Sequence, residues 1–366
     1  MHLTIRVDAS IEMGTGHVMR CLTLAKELKS RGADILFVTR ALTGHMAETI
    51  ANHGFSVKLL PEVSVEYRPK NHDVPHAEWL KVSLEQDASE TIQALSNRKT
   101  DWLIVDHYAL DARWHRALRK YTYKIFAIDD LADRKLDCDL LLDQTYGRNE
   151  TDYRAITPGN CNLLLGSKYA LLRSEFRALR SAARKKRKQC QEVQNILITM
   201  GGIDRDNVTG KILDALPSAT YPLFPSVDII LSSNAPHVED VIKAANQHPF
   251  MVNVSIDVHD MAMRMLKADL AIGASGTTTW ERCCLGLPSI VFVLAKNQKN
   301  IALHVEKENA AFCLGNSTPK AISRMQDVFS LLHQDAKILT DMSEAAFGLV
   351  DGDGVDRVAH KMENLL

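Results

Sequence analysis

ADLAIGASGTTTWERCCLGLP, residues 268–288, has the pattern of one repeating unit of a parallel α/β fold. The apolar run ADLAIGA predicts a buried strand, the small residues Ser275–Thr278 predict a turn, and a helical pattern follows from about 277 to 286. Glu281 falls in the first turns of that helix. Ligands of such sheets bind beyond the carboxyl ends of the strands, so the turn is the place to look for function.

Strands and helices alternate on both sides of this segment. The strand-like runs are LTIRVDA, ADILFVT, FSVKLL, DWLIVD and YKIFAID in the first half, and NILITMGG, VDIILSS, MVNVSID and PSIVFVL in the second. Helical patterns separate these runs, and alternation of this kind predicts parallel sheets with helices on both faces. We therefore predict an α/β protein of two doubly wound, Rossmann-like domains that face each other across a cleft.

The alternation is interrupted once, near residue 166, where a charged segment begins. Its five consecutive basic residues, Arg184–Lys188, are interpreted as a solvated helix face rather than a nucleic-acid or acidic-lipid contact. The predicted domains are 1–165 and 193–345, joined by a linker at 166–192. A C-terminal helix is predicted in 346–366, and the sequence leaves open whether it crosses back to the first domain.

The composition narrows the class of partner. A net charge of −1 and a pI near 6.9 give no global basic field for nucleic acid or an anionic membrane. The seven cysteines contain no C-x-x-C pair, which fits a reducing compartment. MHLTIRVDAS lacks the features of a signal peptide, and no run of 18 apolar residues occurs. We expect a cytoplasmic monomer that acts on a small molecule.

The first predicted strand is followed by a glycine-flanked turn, Gly14 to Gly16. His17 comes directly after this turn and begins a long helical pattern. A dinucleotide fingerprint would need a third glycine where this chain has Met19, so no nicotinamide or flavin cofactor is expected. A histidine in the first turn of a helix at a cleft is well placed to move a proton. His17 is therefore the leading catalytic candidate, against the alternative of a surface or packing histidine.

Two loops of the second half are candidates for ligand binding. Gly201 and Gly202 follow a strand, and they either let the backbone approach a ligand or simply form a tight turn. The turn Ser275–Thr278 offers N–H groups and hydroxyls at a helix start without the lysine of a P-loop, which suits a diphosphate. Glu281 could accept hydrogen bonds from a ribose diol. The D-x-D pairs are about as frequent as chance supplies, and no bound metal is expected.

Longer motifs resemble a known family. They are RVDASIEMGTGHVMRCLTLA, VDHYALDARW, IDDLADRKLDCDLLLDQTYGR, GSKYALLRSEF, MGGIDRDNVT and GTTTWERCCLGLP. Together they resemble the UDP-2,4-diacetamido-2,4,6-trideoxy-β-L-altropyranose hydrolases of pseudaminic acid synthesis. That family has the GT-B fold and is related to the peptidoglycan N-acetylglucosaminyltransferase. The resemblance covers essentially the whole chain.

The resemblance implies a metal-independent, inverting hydrolysis of a UDP-sugar. It gives His17 the role of base that activates water, and it brings Gly14–Gly16 close to the sugar and diphosphate. In the second domain the resemblance implies that Glu281 binds the ribose and that the backbone near Val258 binds the uracil. It implies that the diphosphate is bound by the segment Ser275, Gly276, Thr277 and Thr278.

Several acids end strands of the first domain and could assist His17. They are Asp8, Asp106, Asp129 and Asp130, of which Asp8 is favoured because it lies near His17 in the sequence. Tyr108 could contact the sugar, with a packing role as the alternative.

Three other functions remain open: a UDP-sugar glycosyltransferase, a UDP-sugar epimerase, and a non-catalytic protein that binds nucleotide sugars. The epimerase pattern lacks the ASIEMGTGHVMR segment, and the transferase would need an acceptor in place of water.

Overall fold

The computed structural model describes residues 1–63, 69, 74–96, 98–216, 226–249 and 251–366. The chain forms two compact units. The first contains Met1–Leu171 and Asp353–Leu366, and the second contains Leu172–Gly352.

The first unit is built on a parallel sheet that has seven strands within the described residues, in the order β3-β2-β1-β4-β5-β6-β7. The strands are β1 His2–Val7, β2 Asp34–Arg40, β3 Ser56–Leu60, β4 Thr100–Asp106, β5 Thr122–Ile128, β6 Leu140–Asp143 and β7 Asn162–Leu165. Its helices include α1 Gly16–Ser30, α2 Ala47–Asn52, α3 Leu84–Ala94, α4 Ala112–Leu118 and α5 Glu150–Tyr153, with 3-10 turns at Ala77–Leu80, Arg119–Tyr121 and Ser167–Tyr169. Strands β1, β4 and β6 are almost continuously buried, as expected when helices cover both faces of the sheet.

The second unit has a parallel sheet of six described strands in the order β10-β9-β8-β11-β12-β13. The strands are β8 Asn195–Thr199, β9 Ser226–Leu231, β10 Val252–Ile256, β11 Leu270–Ala274, β12 Ser289–Val293 and β13 Ala311–Asn316. The helices are α6 Ser174–Arg187, α7 Val208–Ala215, α8 Val238–Gln247, α9 Met261–Lys267, α10 Thr278–Cys284, α11 Lys299–Lys307, α12 Pro319–Ser323, α13 Met325–Gln334 and α14 Lys337–Leu349, with a 3-10 turn at Lys296–Gln298. Two sheets of this kind confirm the predicted fold class.

The last helix, α15 Gly354–Glu363, belongs to the first unit. Its apolar side chains Val355, Val358, Ala359 and Met362 join the core formed around β1 and α1. Arg31 at the end of α1 pairs with Asp356 and Glu363 on α15. The helix therefore completes a core that begins with the first strand of the chain.

The segment interpreted as a linker contains α6, and its basic run has a structural role in part. Arg187 is buried, and its guanidinium donates hydrogen bonds to the carbonyls of Met265, Ala268 and Leu285. Lys186 pairs with Asp269, and Arg184 lies 3.6 Å from Glu344. Those contacts fix α6 to the second unit.

Candidate active site

The loop after β1 is shaped to present His17 at the start of α1. Gly14 has a φ of +75° and donates its N–H to the Ser10 carbonyl at 2.8 Å, which closes a small turn. A residue with a side chain rarely adopts that φ, so glycine is needed there. The helix begins at Gly16, and His17, 8% exposed, lies in its first turn.

His17 has a carboxylate partner at the end of a neighbouring strand. Its Nδ1 lies 2.7 Å from Oδ1 of Asp106, the last residue of β4. The strands β1 and β4 are adjacent and in register at Val7 and Asp106, which brings Asp106 to the edge where α1 starts. When Nδ1–H donates to a carboxylate, Nε2 keeps its lone pair and can accept a proton.

Arg20 holds Asp106 in place from the same face of α1, three residues after His17. Its Nε donates to Oδ2 at 2.6 Å and its Nη2 to Oδ1 at 2.7 Å, a two-point contact between buried groups. Burial alone would raise the pKa of Asp106, but Arg20 and His17 outweigh it and hold that pKa well below its usual value. Asp106 is therefore an ionised acceptor near neutral pH.

Arg20 also connects Asp106 to Asp130 and Tyr108. Its Nη1 donates to Oδ2 of Asp130 at 2.5 Å, and the Tyr108 hydroxyl donates to the same oxygen at 2.7 Å. The Tyr108 ring meets the His17 ring edge-on, with centroids 4.7 Å apart. Oδ1 of Asp130 is buried and has no hydrogen-bond partner in the described part of the chain. A hydroxyl or amide N–H of a ligand could satisfy it.

Two aromatic residues that the sequence interpretation missed extend this wall. Trp79 stacks on Tyr108 at 5.6 Å between centroids and lies 6.2 Å from the His17 ring. His76 lies 4.6 Å from Trp79, and burial lowers the pKa of its imidazole. The tryptophan in the short segment AEWL was the available signal. Amphipathic rings beside His17 suit a ligand with both apolar and polar faces.

Asp8, the acid favoured from the sequence, lies in a different cluster. The guanidinium of Arg6 binds both of its oxygens, at 2.5 and 2.9 Å, and the Arg40 backbone N–H donates to Oδ1 at 2.7 Å. Both side chains are fully buried. Residues two apart on an extended strand point to the same side, so the Arg6 guanidinium lies beside the Asp8 carboxylate and binds it. The carboxylate on His17 is that of Asp106.

Asp129 also has a structural setting. Its oxygens accept hydrogen bonds from Arg134, from the Tyr153 hydroxyl and from the backbone of residues 131 and 132. Burial would raise the pKa of Asp129, but these donors, Arg134 foremost, lower it. Asp129 therefore anchors the loop that carries Asp130.

In the second unit, the loop after β8 combines an open glycine turn with a capped helix. Gly201 has a φ of +91° and is exposed, whereas Gly202 is half-buried. Asp204 accepts the N–H groups of Val208 and Thr209, and Asn207 accepts that of Gly210. Asn207 is therefore the N-cap of α7.

The turn after β11 contains backbone N–H groups that make no hydrogen bond within the described part of the chain. Ser275 is fully buried, and its hydroxyl donates to the Phe292 carbonyl at 3.0 Å, so this hydroxyl proton is already used. Among the described residues, the N–H groups of Gly276 and Thr277 have no acceptor. Thr277 and Thr278 are half-buried. Unused N–H groups in a concave turn favour an anion.

Glu281 lies next to this turn and has a partner that the sequence interpretation missed. Nη2 of Arg173 lies 3.2 Å from its Oε1. Burial raises the pKa of Glu281, and the Arg173 charge opposes that rise. Val258 is half-buried in the loop between β10 and α9.

The same sheet edge of the second unit has room for a ligand. A cavity of about 630 Å³ opens at the carboxyl ends of β12 and β13, with Lys296, Lys299 and Asn316 in its lining. This volume is in the range of small-molecule sites. In the described ranges, three or more His, Cys, Asp and Glu side chains do not come together as a metal site. None of the helices described is both long and apolar enough to cross a bilayer.

Comparison with known proteins finds one matching family model and several distant relatives of the chain. Residues 236–358 match the glycosyltransferase family 28 C-terminal domain. The spore coat polysaccharide biosynthesis protein SpsG of Bacillus subtilis is 24% identical over 100% of this chain and 98% of its own length. The UDP-2,4-diacetamido-2,4,6-trideoxy-β-L-altropyranose hydrolase of Campylobacter jejuni is 25% identical over 84% of this chain and 97% of its own length.

Among solved structures, MurG of Acinetobacter baumannii superposes with a TM-score of 0.68 at 16% identity and covers 99% of both chains. A likeness at this identity shows the fold, and it confirms the predicted GT-B architecture of two Rossmann-like units.

Proposed function

We propose that this GT-B protein hydrolyses UDP-2,4-diacetamido-2,4,6-trideoxy-β-L-altrose to the free sugar and UDP, as a cytoplasmic step of pseudaminic acid synthesis. The contact between His17 and Asp106 carries the proposal, because it leaves Nε2 free to accept a proton from water. The Campylobacter jejuni relative, whose name states this hydrolysis, supports the choice of substrate.

In the proposed reaction, water attacks the anomeric carbon and gives its proton to Nε2 of His17. The bond between that carbon and the β-phosphate oxygen breaks, its electron pair leaves with UDP, and the configuration inverts. General-base catalysis of this kind contributes about 10²–10⁴-fold to the rate. Asp106 orients the imidazole and stabilises its positive charge, while Tyr108 and Trp79 line the sugar side of His17.

The second unit is proposed to hold UDP. The diphosphate is assigned to the turn Ser275–Thr278, where Gly276 and Thr277 contribute the unused N–H groups. The ribose is assigned to Glu281 and the uracil to the backbone near Val258. The glycine loop at Gly201 and Gly202 follows β8, the strand adjacent to β11, and we propose that it contacts the same UDP.

The test is ³¹P NMR of the protein with this UDP-sugar in EDTA and H₂¹⁸O. The wild type is expected to release UDP and to place ¹⁸O on the sugar and not on the phosphate, because water attacks carbon. His17→Ala should lose most of the activity, whereas His360→Gln, a change at an exposed histidine, should not. Release of UDP by His17→Ala at the wild-type rate would exclude the proposed base.

A glycosyltransferase is the second candidate, favoured by the family 28 match over residues 236–358. It predicts that UDP is released only when a sugar or lipid acceptor is added. Binding of the UDP-sugar without turnover under any condition would instead indicate a non-catalytic binding protein.

A further inference from the structure

Arg282 is a buried cation directly beneath the turn after β11. It follows Glu281 on α10, and its side chain is only 1% exposed. Nη2 donates to the Ala274 carbonyl at 2.9 Å and to the Thr279 hydroxyl at 3.0 Å. Nε and Nη1 are buried and have no acceptor among the residues the structure describes. Two donors of one buried guanidinium are thus unused.

The guanidinium lies where two strand ends meet. A Cβ built on Gly273 would lie 2.6 Å from Nη1 of Arg282 and 2.9 Å from the Thr199 carbonyl, so only glycine leaves room there. Thr199 ends β8, just before the glycine loop, and Gly273 lies next to it in register on β11. The charge therefore lies between the two loops at this edge of the sheet.

Its charge is only partly balanced by a carboxylate. The charge of Glu281 raises the pKa of Arg282, but in the described part of the chain the two form no ion pair, and Glu281 pairs with Arg173 instead. By contrast, the buried Arg187 has three carbonyl acceptors at the end of α9 and at Leu285. Burial lowers the pKa of Arg282 to about 10, so it remains charged at neutral pH. A buried charge that is only partly balanced favours the approach of an opposite charge.

We propose that Arg282 supplies the counter-charge for the nucleotide's diphosphate, acting through the turn Ala274–Thr278 as a positioning residue. The inference rests on the proposed function, since it assumes that the nucleotide binds at this turn. The diphosphate accepts hydrogen bonds from the N–H groups of Gly276 and Thr277, and the guanidinium behind them attracts its charge. The attraction strengthens as the glycosidic bond breaks, because the electron pair of that bond passes to UDP.

The experiment compares UDP with uridine by isothermal titration calorimetry. Arg282→Met removes the charge and keeps an unbranched apolar side chain. It should reduce the preference for UDP over uridine at least tenfold and leave uridine binding unchanged. Arg184→Met, which removes a half-exposed arginine of α6, is the matched control and should keep the preference. If Arg282 had only a structural role, Arg282→Met would weaken the binding of UDP and of uridine to the same extent.

Arg282→Lys is the second variant, and it keeps the charge with fewer donors. It should retain most of the preference for UDP; if it loses as much as tenfold, charge is not what Arg282 supplies. This variant decides the matter if Arg282→Met does not fold. A wild type that binds UDP no better than uridine would refute the proposed nucleotide site itself. A wild-type preference that Arg282→Met retains would refute only the role of Arg282.

Discussion

At the scale of single residues, charged side chains hold the imidazole of His17 in place, and hydrogen bonds to further charged groups hold those side chains in turn. Asp106 accepts a hydrogen bond from Nδ1 of His17, and Arg20 binds both oxygens of Asp106. Nη1 of Arg20 donates in turn to Asp130. Because Asp106 stays ionised, it orients the ring and would stabilise the imidazolium formed when Nε2 takes a proton. The imidazole is therefore held in one orientation, as the proposed general base requires.

Asp106→Asn tests this arrangement. An amide can turn its N–H₂ group toward Nδ1, which favours the tautomer whose Nε2 is already protonated. We expect kcat for UDP release to fall by about 10²–10⁴-fold with a much smaller change in KM. Asp34→Asn, at an exposed acid of the same unit, is the control and should behave as wild type. An equal loss in both variants, or no loss in Asp106→Asn, would contradict the role.

The sequence indicated His17, the proposed base, more readily than the residues that contact it. His17 follows a glycine turn that is visible locally, whereas Asp106 is 89 residues away and becomes a neighbour only because β1 pairs with β4. Asp8 was favoured by closeness in the chain, which says little about contacts across a sheet edge. Trp79 lies in a segment without a regular pattern, so its contact with Tyr108 could not be anticipated.

At the scale of elements, α4 carries a buried histidine that makes its packing sensitive to acid. His115 is completely buried, and its Nδ1 accepts the backbone N–H of Asp137 at 3.1 Å. Burial, reinforced by the charge of Arg134, lowers the pKa of His115 from 6.5 to about 3. The folded chain therefore holds this ring neutral where an unfolded chain would protonate it.

The sign of the effect follows from that lowered pKa. Above pH 6.5 the ring is neutral in both states, and as the pH falls from 6.5 toward 3 only the unfolded chain gains the proton. His115 thus makes the free energy of unfolding decrease with acid. His115→Asn keeps an acceptor near the position of Nδ1, and its loss of unfolding free energy between pH 7 and pH 5 should be smaller by about 2 kcal/mol.

Urea denaturation at the two pH values measures this difference, and His2→Asn, at an exposed histidine, serves as the control. The prediction fails if both variants show the pH dependence of the wild type.

Two helical glycines give a matched pair at the element scale. A Cβ on Gly354, at the start of α15, would lie 2.3 Å from the Ala170 carbonyl, whereas one on the exposed Gly348 of α14 would meet nothing within 4 Å. We expect Gly354→Ala to lower the free energy of unfolding by about 1–3 kcal/mol, since the backbones must separate. Gly348→Ala should raise it by up to about 1 kcal/mol. Thermal melts of both variants would show opposite shifts, and equal shifts would contradict the contact at Ala170.

At the scale of the whole molecule, each unit has its own sheet and its own core. The fold class could be predicted because parallel strands buried on both faces leave long apolar runs between helical patterns. The four-residue strands β6 and β7 were missed because LLLD and NLLL are too short to show a period. The packing of α15 depends on side chains some 330 residues apart in the chain, such as Arg31 and Glu363, and no local pattern reveals it.

The division between the units predicts separable defects. Glu281→Gln, in the second unit, should raise the Kd for UDP about 10- to 100-fold, the cost of losing hydrogen bonds to a charged group. His17→Ala, in the first unit, should leave the Kd for UDP within about twofold of wild type, while turnover is lost. Calorimetry and UDP release on the same preparations compare the two, and the assignment fails if both variants lose UDP binding equally.

The position of α15 also bears on the order in which the protein can fold as it is made. The second unit is one continuous stretch, Leu172–Gly352, and all of it leaves the ribosome before α15 does. The first unit, although translated first, lacks the side chains of Val355, Val358 and Met362 until then. Of the two units, the one that carries His17 is thus begun first and completed second.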